Sequence, residues 1–297
     1  MWIIFTLITF FCWGIADLFY KLGNKEKYSH LKTGIIVGLV MGVHATIYLI
    51  IKNVDINILD ILKYLPVSLL YISSMVIGYK GLRYLELSIS SPIQNTSGVI
   101  TSLLLVIFFK EILPITAYVA FILIFIGILI LSLLELKETK QERIEYKKSN
   151  TKKKVIVLTI LFPLMYCFLD GIGTFLDGIY LDKLELISED TALIAYEYTF
   201  FIYGVITYIY LKIKKESLKI TKEKNKILAA IFETAGQFFY VFAMSGNATI
   251  SASIIGSYAI LSLILSRIFL KEKLTKNKYI AIFLVIIGIV ILSILDL

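Results

Sequence analysis

Cysteine, histidine and proline are scarce, with two, two and four residues in a chain of 297. Cys12 and Cys167 both fall inside apolar segments, where a thiol behaves as a small apolar side chain. There is neither a disulfide framework nor zinc-ligand spacing. Long polar stretches are missing as well. With 58% apolar residues, 13% aromatics and a mean hydropathy of +0.85, little sequence is left for a soluble domain. Met1-Trp2-Ile3-Ile4 lacks a basic n-region, and Asp17 and Lys21 interrupt the apolar stretch behind it. The first segment is therefore expected to be a retained helix rather than a cleaved signal.

What is present is a succession of apolar runs, each of about 20 residues and long enough to cross some 30 Å of hydrocarbon. The expected spans are 2–22, 33–51, 64–84, 88–108, 114–134, 155–180, 191–211, 226–245, 249–270 and 277–295. This predicts an all-α polytopic membrane protein with ten transmembrane helices. The formal charge of +8 comes mostly from lysines in the loops, which places them against anionic headgroups and argues against nucleic acid as a partner. Loops after the odd-numbered spans carry Lys25, Lys27 and Lys32, the runs Lys137 to Lys154 and Lys212 to Lys226, and Lys271 to Lys278. Loops after the even-numbered spans carry only Lys52, Lys63, Lys110 and Lys183. The positive-inside rule makes the odd face cytoplasmic in a cell membrane, with both termini outside.

The charged stretch ELKETKQERIEYKKSNTKKK, residues 135–154, is expected to be a linker loop between two halves, 1–134 and 155–297. The halves match without gaps at an offset of 161. Ser90 meets Ser251, Ile93 meets Ile254, Lys110-Glu111 meets Lys271-Glu272, Tyr118 meets Tyr279, and GILILSL from Gly127 meets GIVILSI from Gly288. Near their starts, Gly14-Ile15-Ala16 aligns with Gly171-Ile172-Gly173 at an offset of 157. Five spans per repeat is an odd number, so the second copy crosses the membrane in the opposite sense. That is an inverted-topology plan, with a site expected near the midplane between the repeats.

The first helix reads WGIADLFYK, and each half ends in an apolar helix, a Lys-Glu turn (FFKEIL, FLKEKL) and a Gly-containing apolar helix. In these features the chain resembles the EamA-type permeases of the drug/metabolite transporter superfamily, with Trp13, Gly14 and Lys21 at the family-motif positions. The resemblance covers nearly the whole chain. It departs where the family often has Pro thirteen residues before the turn Glu: here Gly98 and Ala259 stand there, with Pro92 earlier. Such permeases carry amino acids, nucleosides, sugars and amphipathic drugs, so the resemblance implies transport without choosing a substrate.

Ionisable residues at membrane depth are costly unless paired, neutralised or hydrated. Asp17, Asp170, Asp177, Glu197 and Glu233 are the acids inside the spans. Seven residues bring Asp177 back to within about 20° of Asp170 on one face of the sixth span, where Gly171, Gly173 and Gly178 allow close packing or a local break. Asp177 and Glu197 belong near the even face, Asp17 and Glu233 near the odd face, and Asp170 between them. Asp17 also has Lys21, Lys80 and Arg83 as pairing candidates. His44 is a relay or a packing residue, and Gln94, Asn95, Gln237, Tyr240 and Tyr258, with Tyr48, Tyr71, Thr96 and Asn247, offer hydrogen bonds or aromatic faces to a ligand or a neighbouring helix.

These residues predict a secondary transporter of a small metabolite, such as an amino acid, amine or cationic or amphipathic compound. It would work by alternating access, with or without proton coupling, as a monomer or homodimer and without a cofactor. The alternatives are an intramembrane aspartyl hydrolase and a channel or structural subunit. Against the hydrolase, Thr174 rather than Asp follows Gly171-Ile172-Gly173, and the two acids of one helix lie about 10 Å apart along its axis.

Overall fold

The computed structural model describes residues 1–84, 87–146, 153–271 and 275–294, and the regular structure among them is helical. The helices are α1 (Trp2–Gly23), α2 (Ser29–Lys52), α3 (Ile58–Gly81), α4 (Leu87–Gln94), α5 (Thr96–Phe109), α6 (Ile115–Tyr146), α7 (Lys153–Gly178), α8 (Glu189–Ile213), α9 (Lys224–Gly256), α10 (Ala259–Leu265) and α11 (Lys276–Ile294). π-Helical turns, Ile179–Lys183 and Ser266–Leu270, extend α7 and α10. Six helical segments are individually long and apolar enough to span a bilayer, and Thr96–Phe109 and Ile115–Leu131 are shorter apolar helices. The fold is that of a polytopic all-helical membrane protein.

Two expected spans differ from single helices. The fourth, 88–108, breaks at Asn95 into α4 and α5. The ninth, 249–270, breaks at Ser257 and Tyr258. Asn95 (φ −82°, ψ 0°) and Ser257 (φ −83°, ψ 0°) have the same backbone conformation, one residue off the repeat register. At the second break, Ser257 N and Tyr258 N bond three residues back rather than four, the tightened turn typical of a helix end. The eighth and ninth spans also run together in α9 through a bend at Asn247 (φ −168°, ψ 87°). Asn247 accepts the Ile250 amide at 3.0 Å, and Asp182 accepts the Ala248 amide at 2.9 Å. Its side chain caps the new helix start. The charged segment 135–154 is corrected as well: α6 stays helical to Tyr146, because ELKETKQERIEY is rich in strong helix formers and free of Gly and Pro. Residues 147–152 lie outside the described residues, as do Glu86 and Glu272.

The principal packing joins one half of the chain to the other: α1 with α9, α3 with α7, α2 with α8, α5 with α9, and α6 with α11. At α6–α11, a Cβ on Gly127 would strike Ala281 and Val285, while one on Gly288 would strike Ala120 and Ile124. These two contacts interchange under the offset of 161. Gly98 lies equally close to Gly256 at the crossing of the two broken spans, and Gly38 to Gly204 at α2–α8. In a lipid environment such close backbone approach supplies the van der Waals contact that holds helices together. Gly178, too, packs closely, against Leu105 and Ala248, and α7 stays α-helical through Gly171 and Gly173. Lys110 and Lys271, mates in the repeat, both end their helices in the left-handed conformation (φ 53° and 58°). Apolar side chains such as Ile202, Ile206, Ile280 and Phe283 are exposed on the outside, where lipid replaces water.

Candidate functional site

Asp17 of α1 reaches between the two broken spans. Its Oδ2 accepts Ser91 Oγ of α4 at 2.7 Å and Ser262 Oγ of α10 at 2.9 Å. Asn95, at the first break, steadies this corner by donating to Ser91 O at 2.8 Å. Asp17 thus takes two hydroxyls, one from each half, and none of the bases considered for it takes part in those bonds. One turn closer to the odd face, Tyr20 Oη donates to Glu233 Oε2 at 3.1 Å, and Tyr79 Oη donates to Tyr20 Oη at 2.9 Å. Ser97, at the start of α5, donates to Asp170 Oδ2 at 2.7 Å.

Together Asp17, Asp170 and Glu233 wall a central cavity, with Gln94 and Gln237 as its amides and Trp13, Tyr71, Tyr166 and Tyr258 among its aromatics. No Lys, Arg or His is in this lining. The space open to water is about 40 Å³, room for a few waters and far below the roughly 300–1,000 Å³ of a small-molecule pocket. A second chamber shares Trp13, Tyr71, Tyr166, Asp170 and Tyr258 with the first and adds Asn95, Tyr240 and Gly256. Asp170 therefore borders both.

Asp177 lies outside both linings and is fully buried. It accepts Tyr64 Oη, and Tyr71 Oη at 3.5 Å; Tyr71 also bonds Thr174 (3.1 Å) and Tyr240 (2.5 Å). Through Tyr71 and Tyr240 it connects to the chambers. Ser97 holds Asp170 and the tyrosines hold Asp177, so the two acids of α7 have separate donors. His44 Nδ1 meets Glu197 at 2.8 Å on the α2–α8 interface, outside the cavity lining. Nearby, Tyr48 donates to Asp190 at 2.6 Å. Asn247 serves the bend of α9.

The motif residues have structural work. Trp13 lies over Gly236, where any Cβ would meet the indole at 2.4 Å, and Gly14 admits Leu261. Lys21 Nζ donates to Leu82 O at 2.9 Å, capping the end of α3. Sequence reasoning missed Ser91, Ser97, Ser262, Tyr20, Tyr64 and Tyr79, which hold the carboxylates. It also missed a cluster at the even face, where Lys183 Nζ joins Glu111 (2.5 Å) and Asp182 (2.7 Å), and Thr249 donates to Glu111 at 3.0 Å. The Lys-Glu turn was a visible signal for Glu111; single hydroxyls in apolar helices carried none.

The EamA-like transporter family model matches residues 1–133 and 155–294. The chain belongs to the EamA-like transporter family. Members are membrane transporters of small molecules, so this is a multi-pass membrane transporter. No curated protein matches the chain. A solved crystal structure described only as a protein has a TM-score of 0.66 at 11% identity, over 98% of this chain and 99% of that one; at that identity the likeness speaks for the fold alone.

Proposed function

We propose that this chain is a secondary transporter that moves a small cationic or amphipathic metabolite, an amine or an amino acid derivative, across the cell membrane by alternating access. The observation that carries this reading is the central cavity: three carboxylates and a ring of aromatics, with no basic side chain in the lining. Carboxylates complement a positive group, and Tyr and Trp faces add cation–π attraction. One chain supplies the whole lining, so a monomer is a sufficient working unit. The odd face, with most of the lysines, is cytoplasmic in this reading. Nothing in it requires hydrolysis or a cofactor.

Asp170 is the coupling group of this scheme. It borders both chambers, and Ser97 Oγ donates to it at 2.7 Å. A carboxylate whose hydration changes as the cavity opens and closes changes its proton affinity with it. The test is Asp170→Asn in proteoliposomes, measuring uptake and counterflow with and without a pH gradient. Gradient-driven uptake is expected to be lost while exchange persists. Coupling of wild-type strength in the variant would remove Asp170 from the mechanism.

A further inference from the structure

One polar atom of the central cavity has no partner among the described residues. Gln94 is 3% exposed, and its Nε2 makes no hydrogen bond among the described residues although it lines the space between the carboxylates. A buried N–H left in this way carries a desolvation cost that nothing offsets. The local packing keeps room beside it. A Cβ on Gly78 of α3 would stand 3.3 Å from Gln94 Nε2 and 2.8 Å from the Tyr166 ring.

Gln94 and Ser91 are three residues apart on α4, so they share a face about 4.5 Å apart along the axis. Ser91 holds Asp17 Oδ2, and Asp17 Oδ1 takes no donor from the described residues. The corner therefore brings Asp17, held by hydroxyls through its Oδ2, and an unpartnered amide donor into one stretch of the cavity wall. We infer that the ligand is a cation bearing a neutral hydrogen-bond acceptor two or three bonds from its charged nitrogen, the amine seated at Asp17 and the acceptor at Gln94. An amino acid amide or amino alcohol has this form. A free amino acid fits less well, because its carboxylate would face Asp17, Asp170 and Glu233 with no Lys or Arg in the lining to receive it. This rests on the cationic-substrate reading above and narrows it.

Three probes with one ring separate the possibilities: phenylalaninamide (cation and neutral acceptor), 2-phenylethylamine (cation alone) and phenylalanine (zwitterion). Their binding to the purified full chain is measured by calorimetric titration at mildly acidic pH, where all three amines are protonated. Phenylalaninamide is expected to bind about tenfold tighter than 2-phenylethylamine, the worth of one good hydrogen bond, with phenylalanine weakest. In Gln94→Met, and in Gln94→Leu as a second variant, the two cations should converge to within about twofold. Equal affinities in the wild type, or a preference for the amide that survives both variants, would overturn the assignment to Gln94. Failure of the underlying cationic reading looks different: phenylalanine then binds at least as well as both cations, and both inferences fall.

Discussion

The two faces of the molecule are fastened differently. At the even face the polar ties join one half of the chain to the other: Glu111 with Lys183, Tyr48 with Asp190, His44 with Glu197, and Tyr64 with Asp177. At the odd face the ion pairs Glu26–Lys32 and Glu223–Lys226 each stay within one half. A rocking motion of one half against the other would break the first set and leave the second intact. Among the described residues the even face thus carries the ion pairs between the halves, while nearer the odd side the halves meet through Tyr20 and Glu233, and the cavity residues Tyr20, Tyr79 and Leu82 extend from the midplane toward that side. Salt bridges that look alike in a list of distances have opposite meanings once the half of the chain supplying each partner is known.

The sharpest way to break this comparison is Asp177→Ala. It strands the buried Tyr64 hydroxyl, removes one partner of Tyr71 and opens space at a fully buried position, and a loss of about 3 kcal/mol is expected by denaturant titration in mild detergent. A loss under about 1 kcal/mol would show that the even-face tyrosine layer does not clamp α3 to α7.

Lys183→Met comes next. The Lys183 and Glu111 side chains are 15% and 19% exposed, and removing the cation leaves two carboxylates facing each other across the halves. An expected cost of about 2 kcal/mol should be accompanied by faster labelling of a cysteine placed at Ser245, in a background with Cys12 and Cys167 replaced. Unchanged labelling would mean the cluster is no lock.

His44→Ala removes the partner of buried Glu197, but His44 is itself one-third exposed (32%), so the expected loss falls to about 1 kcal/mol. The smallest effect belongs to the odd face. Lys32→Met breaks a tie within one half whose Glu26 side chain is 75% exposed and should cost about 0.5 kcal/mol, with Ser245 labelling as in the wild type. If Lys32→Met and Lys183→Met changed labelling equally, the distinction between the faces would collapse. The same assay fixes sidedness: a cysteine at Lys222 should resist an impermeant reagent in intact cells.

Much of the architecture was legible before the structure. The offset of 161 reappears atom by atom where Gly127 meets Val285 and Gly288 meets Ile124. The breaks at Asn95 and Ser257 were not legible. The run around Ser257 continues without Pro, Pro92 stands three residues before the first break rather than at it, and both breaks lie where α5 and α9 cross at Gly98 and Gly256. The candidate acids of the cavity were visible because a carboxylate in an apolar helix stands out. Their partners were not, because a serine in a membrane helix is as readily satisfied by the carbonyl four residues back as by a distant carboxylate; Ser257 bonds Ser253 O in that way, whereas Ser262 reaches Asp17 as well as its own helix. His44 and Glu197 were both legible as polar, but their distance from the cavity was not.

What the sequence by itself determined about this protein is what hydropathy and register encode along one dimension: a membrane-embedded, all-helical chain built twice, with acids where lipid would exclude them. Which acids share a cavity, which hydroxyls hold them and which ion pairs join the two halves were decided only by tertiary structure. The reason is geometric. These properties depend on helices from opposite halves meeting at small residues, α1 against α9 and α3 against α7, and a buried carboxylate takes its character from whatever donor the neighbouring helix presents. No spacing along the chain records that donor.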